Sequence, residues 1–151
     1  MMDTEEGGTL MLRRRVLGLD VGDRRIGVAI SDPLGLTAQW LTVITRQTPD
    51  RDAEAITTIS DAHGVEAVVV GLPLTMRGTV EEQGQKVMTF VELLRSRLSC
   101  RVEVLDERLT TRQGERALLE LDTARQKRKQ LLDQIAAQLI LQAYLDGQRQ
   151  R

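Results

Sequence analysis

The sequence predicts an α/β domain, a mixed five-stranded sheet flanked by helices. Two apolar runs, residues 16–21 and 26–31, are separated only by a short turn at Gly22-Asp23-Arg24-Arg25, so they fold back on each other as antiparallel strands. A continuous apolar run, residues 67–72, reads as a central strand covered on both faces. A helical pattern and then a further strand pattern at 101–105 follow it, which is the spacing of a βαβ crossover. At 151 residues the chain supplies one domain with a single sizeable core. Residues 13–147 carry this patterning, residues 1–12 read as a disordered extension, and residues 148–151 as a polar tail.

Each element has its own local signal. Residues 34–44, with Thr37, Trp40, Thr42, Val43 and Ile44, suit a third strand that completes an antiparallel meander. Thr48-Pro49-Asp50 opens a helix with a capping hydroxyl, proline at the first helical position and acid in the first turn; Gly64 stops it. Ala53, Ile56 and Ile59 form its apolar stripe, and His63 is a helix-end residue. After the 67–72 strand, a loop at 73–78 leads to a capping box of Thr79 and Glu82 and a helix striped by Val87, Val91 and Leu94, ending near Leu98. The strand at 101–105 runs into Asp106-Glu107-Arg108, and Thr110 and Thr111 cap a helix reaching about Leu121. Residues 122–130 concentrate Arg125, Lys127, Arg128 and Lys129 without an apolar period, as a basic loop or a solvated helix start. Residues 131–145 form the last helix.

Three carboxylates stand out. Asp20 lies inside an apolar strand, on the face shared with Gly18 and Gly22, so its carboxylate is bordered by residues without side chains. Burying an unpaired carboxylate is costly, so a cation is expected to compensate it. Asp106 and Glu107 sit at the end of a parallel strand, the edge where such sheets bind ligands, and alternation lets at most one of them join Asp20. Glu107 is the better candidate, since Asp106 can hold Arg108 or cap the following turn. Asp133 heads the row Ala137, Ile140 and Tyr144 on the last helix, near its buried side. Its position near a helix N-terminus would by itself favour a carboxylate.

Composition narrows the chemistry. With one cysteine and one histidine, sulfur- or imidazole-built metal sites are excluded, so a bound metal would be held by carboxylates. That favours one or two Mg2+ or Mn2+ ions at Asp20, Glu107 and Asp133, a set suited to phosphodiester hydrolysis. Arg24, Arg25, Arg77 and Arg108, with the basic run, would hold the phosphates. Net charge is −1, so nucleic-acid binding has to come from such local clustering. Aromatic residues make up 2%, too few for a base-stacking platform, and no apolar stretch spans a membrane.

Four stretches together resemble one family: Gly18-Leu19-Asp20-Val21-Gly22 with Arg25-Ile26-Gly27-Val28-Ala29; Val70-Gly71-Leu72-Pro73-Leu74 with Gly78; Asp106-Glu107-Arg108-Leu109-Thr110-Thr111; and Asp133 with Ala136-Ala137 and Ile140-Leu141-Gln142. They are similar to the RuvX (YqgF) family, RuvC-like Holliday junction resolvases also known as pre-16S rRNA nucleases. The resemblance implies a ribonuclease H-like fold. It implies a cytoplasmic, metal-dependent endonuclease, often a homodimer, acting on four-way DNA junctions or precursor rRNA, with acids matching Asp20, Glu107 and Asp133. One departure is Leu121-Asp122-Thr123-Ala124, where family members often carry a glycine before the basic run. Two other readings compete: a non-catalytic nucleic-acid or ribosome-associated factor, and an actin-like ATPase suggested by the Asp20-Val21-Gly22 turn.

Overall fold

The computed structural model describes residues 15–75, 77–108 and 125–149, with the backbone alone for 125–134. The expected N-terminal extension and the helix expected over 110–121 lie outside the described residues. Strands β1 (Arg15–Val21), β2 (Arg25–Ser31) and β3 (Ala38–Thr45) precede helix α1 (Pro49–His63). Strand β4 (Val65–Leu72), helix α2 (Glu82–Arg97), strand β5 (Arg101–Asp106) and helix α3 (Arg125–Arg149) follow. The sheet order is β3-β2-β1-β4-β5. Antiparallel pairing joins β1 to β2 and β2 to β3, while β4 runs parallel to both β1 and β5.

Both faces of the sheet are covered, which is why β1 and β4 are apolar at nearly every position. One face, with Leu17, Leu19, Val28, Val68 and Val70, packs on Ile56 of α1 and on Val87, Phe90, Val91 and Leu94 of α2. The other face, with Val16, Ala29, Ala67 and Val69, packs on Ala137, Ile140, Leu141 and Tyr144 of α3. Glycine permits the close approach of α3. A Cβ on Gly18 would lie 2.6 Å from Cβ of Leu141 and 2.9 Å from the Ala137 carbonyl oxygen.

Several boundaries differ from those expected, each for a local reason. The third strand starts at Ala38 rather than 34, because the Asp32 carboxylate accepts the amides of Leu34, Leu36 and Thr37 and holds that segment as a loop. The Thr79–Glu82 capping box does not form: Thr79 is bonded to Thr75 through its amide and hydroxyl, and α2 begins only at Glu82 behind an N-cap, Glu81, that makes no side-chain cap bond. The signals for α1 hold in full. Thr48 accepts the Arg51 amide at 3.1 Å, and Gly64 takes a left-handed conformation, φ 61°. Helix α3 begins at Arg125, so the basic run is helical, as its arginine, lysine and glutamine residues favour. It continues to Arg149, and the polar tail expected from 148 is helical through that residue. Arg149 donates to the Leu36 carbonyl and Gln142 bridges Leu36 and Ala38, tying the end of α3 to the β2–β3 loop.

Candidate active site

The parallel strands β1, β4 and β5 end at one edge of the sheet, and Asp20 and Glu107 lie there. Asp20 is half-buried on the face covered by α3, the face of Val16 and Gly18. Its partner across the antiparallel pair is Gly27. On the parallel side, Leu19 pairs with Val70, so the next positions are Asp20 and Gly71. Glycines therefore flank Asp20 on both neighbouring strands.

Glu107 follows β5 directly, and its amide donates to the Leu72 carbonyl at 3.1 Å, which extends the β4–β5 pairing past Asp106. That register turns the Glu107 side chain to the α3 face. A Cβ on Gly71 would lie 2.9 Å from Cγ of Glu107 and 2.4 Å from Cδ1 of Ile140, so the space that Gly71 leaves is filled by these two side chains. Burial pushes the Glu107 carboxyl up to about 7, and the charges of Asp20 and then Asp106 add to the shift. Asp106 behaves oppositely. Its carboxylate accepts Nε of Arg108 on both oxygens at 3.0 Å, Nη2 at 2.6 Å and the Arg108 amide at 3.0 Å. The Arg108 guanidinium holds Asp106 below the usual carboxylate range. Both roles expected of Asp106 are thus filled at once, and Glu107 is the acid turned toward Asp20.

Asp133 lies on α3, four residues before Ala137, whose carbonyl sits against Gly18. One helical turn is about 5.4 Å, close to the advance of two strand residues from Gly18 to Asp20. Because Gln142 and Arg149 reach the β2–β3 loop at the far edge, α3 runs antiparallel to β1. From Ala137 the backbone of α3 thus runs back through Asp133 toward the Asp20 end of β1; the Asp133 side chain lies outside the described residues, as do those of Arg125, Lys127, Arg128 and Lys129.

The expected phosphate-binding arginines surround the same edge. Arg24 and Arg25 are exposed in the β1–β2 turn, closed by the Gly22 amide on the Arg25 carbonyl at 2.9 Å. Arg77 is exposed in the loop after β4. Arg108 lies against Gly78 of that loop, whose φ of 81° suits glycine; a Cβ there would be 3.4 Å from the guanidinium.

Among the described residues, no three carboxylate, histidine or cysteine side chains converge as a metal site. The donor set nevertheless fits a hard divalent cation. Two carboxylates face each other's charge in a half-buried place, and one of them keeps its proton to near neutrality. A third oxygen donor would come from Asp133.

One pair escaped the sequence analysis. Arg46, just after β3, donates to Asp52 of α1 at 2.7 Å and to the Gly22 carbonyl at 2.8 Å, and stacks over Phe90 of α2 at 5.1 Å. An arginine after a strand and an aspartate in a first helical turn are each ordinary, so no local pattern marked them.

The family model described as RuvX, Holliday junction resolvase, matches residues 14–147. The chain belongs to the RuvX family. Among RuvX relatives, a Clostridium novyi (strain NT) protein named "Putative pre-16S rRNA nuclease" is 52% identical over 133 residues, 88% of this chain and 98% of its own. A Halothermothrix orenii protein of the same name is 48% identical over 134 residues, 89% and 96% of the two chains. The RuvX chain also superposes on Thermus thermophilus RuvC, solved in complex with a Holliday junction substrate. The TM-score is 0.58 at 16% identity, covering 91% of this chain and 97% of that one. The fowlpox virus Holliday junction resolvase gives 0.52 at 12% identity, covering 88% and 99%. These likenesses establish the fold, which is ribonuclease H-like as the sequence resemblance implied.

Proposed function

We propose that this protein is a metal-dependent endonuclease that hydrolyses phosphodiester bonds in structured nucleic acid, at four-way DNA junctions or in the 5′ region of precursor 16S rRNA. The observation that carries the reading is the pairing of Asp20 and Glu107 at the end of the central strands, with the Glu107 carboxyl at about 7. Two carboxylates placed to repel each other lower stability unless a cation joins them, and they would repel a phosphate in a protein that only bound nucleic acid.

Asp20, Glu107 and Asp133 would hold Mg2+ or Mn2+, as one or two ions. When bound, such ions activate water and stabilise the leaving oxygen of a phosphodiester. The chain's own groups do the rest. Ionised Glu107 and Asp20 supply hard oxygen donors, and β1 and β5 fix their spacing. Arg24, Arg25, Arg77 and Arg108 neutralise phosphates on either side of the scissile bond. The basic run at the start of α3 tracks the backbone further out. Recognition is by shape and phosphate position, since the chain has one tryptophan, one tyrosine and one phenylalanine. A cytoplasmic site of action follows from either substrate, and symmetric cleavage of a four-way junction would take a homodimer. No helix among the described residues is long and apolar enough to cross a membrane.

The test is incubation with Mg2+ or Mn2+ and a labelled four-way junction, a matched duplex and a precursor rRNA fragment, with Asp20→Asn as control. Symmetric nicks in the junction, absent from the variant, establish a junction resolvase. Cleavage of the RNA alone assigns rRNA maturation. Binding without cleavage of any substrate overturns the nuclease reading in favour of a non-catalytic factor.

A further inference from the structure

We infer that Arg46 is a positioning residue for the Asp20-bearing end of β1, acting through the carbonyl of Gly22. This rests on the nuclease reading. The end of β1 is held unevenly. Its pairing with β4 stops at Leu19–Val70, while its pairing with β2 continues only to Val21–Ile26. Asp20 keeps Gly27 as its partner on β2, so it is the turn after Val21, closed only by the Gly22 amide on the Arg25 carbonyl, that depends on further anchors. Arg46 supplies two: its amide donates to the Arg24 carbonyl at 2.8 Å, and its guanidinium donates to the Gly22 carbonyl at 2.8 Å.

The guanidinium is itself fixed from two sides. Asp52 is 2% exposed and accepts Nε of Arg46 on one oxygen and the Gln47 amide on the other, at 3.0 Å. The Phe90 ring lies beneath, 5.1 Å from Cζ. Asp52 in turn is set in the first turn of α1, where its amide donates to the Thr48 carbonyl. One planar group thus joins α1, α2 and the turn that carries Arg24 and Arg25. Lysine cannot reproduce this, because an ammonium has no fork to bridge a carboxylate and a carbonyl in fixed directions. A shift of the turn would move Asp20 and the two arginines together, and misplacement by about 1 Å is enough to slow catalysis strongly.

Backbone amide exchange and cleavage kinetics of Arg46→Lys, in the full chain, decide the matter. The expected result is exchange at Gly22 faster by about tenfold or more, with the Val68 and Val69 amides of the core unchanged. With it, kcat falls by about tenfold or more and KM changes by less than about threefold. Wild-type exchange at Gly22 overturns the inference, and so does an equal acceleration in the core, which would mark Arg46 as generally stabilising. Unchanged kcat overturns it too. If Arg46→Lys does not fold, Asp52→Asn is read by the same outcomes, since it leaves the guanidinium at Gly22 but loosens its anchor. A wild-type protein that cuts no substrate overturns the nuclease reading instead, while the exchange pattern still decides whether Arg46 holds the turn.

Discussion

Gly71 and Glu107 share one volume: a Cβ on the glycine would lie 2.9 Å from Cγ of the glutamate. The glycine lets an acid from the neighbouring strand reach the side of Asp20, and α3 reaches the same spot through Ile140. Gly71→Ala should therefore cost activity more than stability. The atoms it meets are Cδ1 and Cγ1 of Ile140 and Cγ of Glu107, all side-chain atoms that can turn aside, so repacking should cost about 1–2 kcal/mol. Glu107 has to swing away to make room, and it swings away from Asp20. The expected outcome is a fully folded variant whose Mg2+-dependent cleavage is reduced by about a hundredfold. Urea unfolding beside a cleavage assay checks it, and near-wild-type cleavage would show that Glu107 needs no such room.

Gly18 makes the opposite case. Its missing Cβ faces Cβ of Leu141 at 2.6 Å and the Ala137 carbonyl oxygen at 2.9 Å, and neither atom can rotate aside. Gly18→Ala should force α3 off the sheet and cost about 3 kcal/mol. Equilibrium unfolding measures this directly. A smaller destabilisation than that of Gly71→Ala would mean that α3 shifts more easily than its close packing suggests.

The pH dependence of stability follows from Glu107. Its folded pKa is raised from 4.5 to about 7, mainly by burial and then by Asp20. Below 4.5 the group is protonated in folded and unfolded chains alike. Between 4.5 and about 7 the unfolded chain releases the proton while the folded chain keeps it, so stability falls as pH rises and levels off above 7. Glu107→Gln lacks this slope and should be more stable than wild type near pH 8 by about 1–2 kcal/mol, a figure reduced for the partial solvation of the carboxyl. Mg2+ selects the ionised form, so it should raise the wild-type melting temperature more above pH 7 than below, and leave the Gln variant unmoved. Parallel melting curves for both proteins across pH would refute the assignment.

Much of this was legible in the residues. The alternation of Gly18, Asp20 and Gly22, the continuous run of β4 and the caps of α1 marked the sheet and the end of it where Asp20 lies, because each depends on neighbours in sequence. That Glu107 turns toward Asp20 while Asp106 holds Arg108 was legible too, since strand alternation separates them and Arg108 stands two residues from Asp106. What needed three dimensions was anything joining distant segments. Arg46, Asp52, Gly22 and Phe90 meet from four elements, and nothing near any one of them announces the others. The Thr79 capping box failed for a related reason: Thr75 competed for the same hydroxyl across the loop, and a linear motif carries no term for that competitor.

The basic run offers a test that separates binding from chemistry. Arg125, Lys127, Arg128 and Lys129 fall within the first five residues of α3. That end of the helix lies at the Asp20 edge of the sheet, because the other end is tied to Leu36. Phosphates bound near Asp20 and Glu107 would continue toward this cationic turn. Replacing all four residues with Gln removes four positive charges. Each phosphate that is then no longer neutralised should lower the slope of log affinity against log salt by about 0.9 for duplex DNA. Binding should weaken most at low salt, while the cleavage rate at saturating substrate stays within a few-fold of wild type, because the carboxylates are untouched. Titration of a four-way junction across salt concentrations measures the slope. A slope equal to that of wild type would place the phosphates elsewhere, and a collapse of the saturated rate would show that these residues act at the scissile bond.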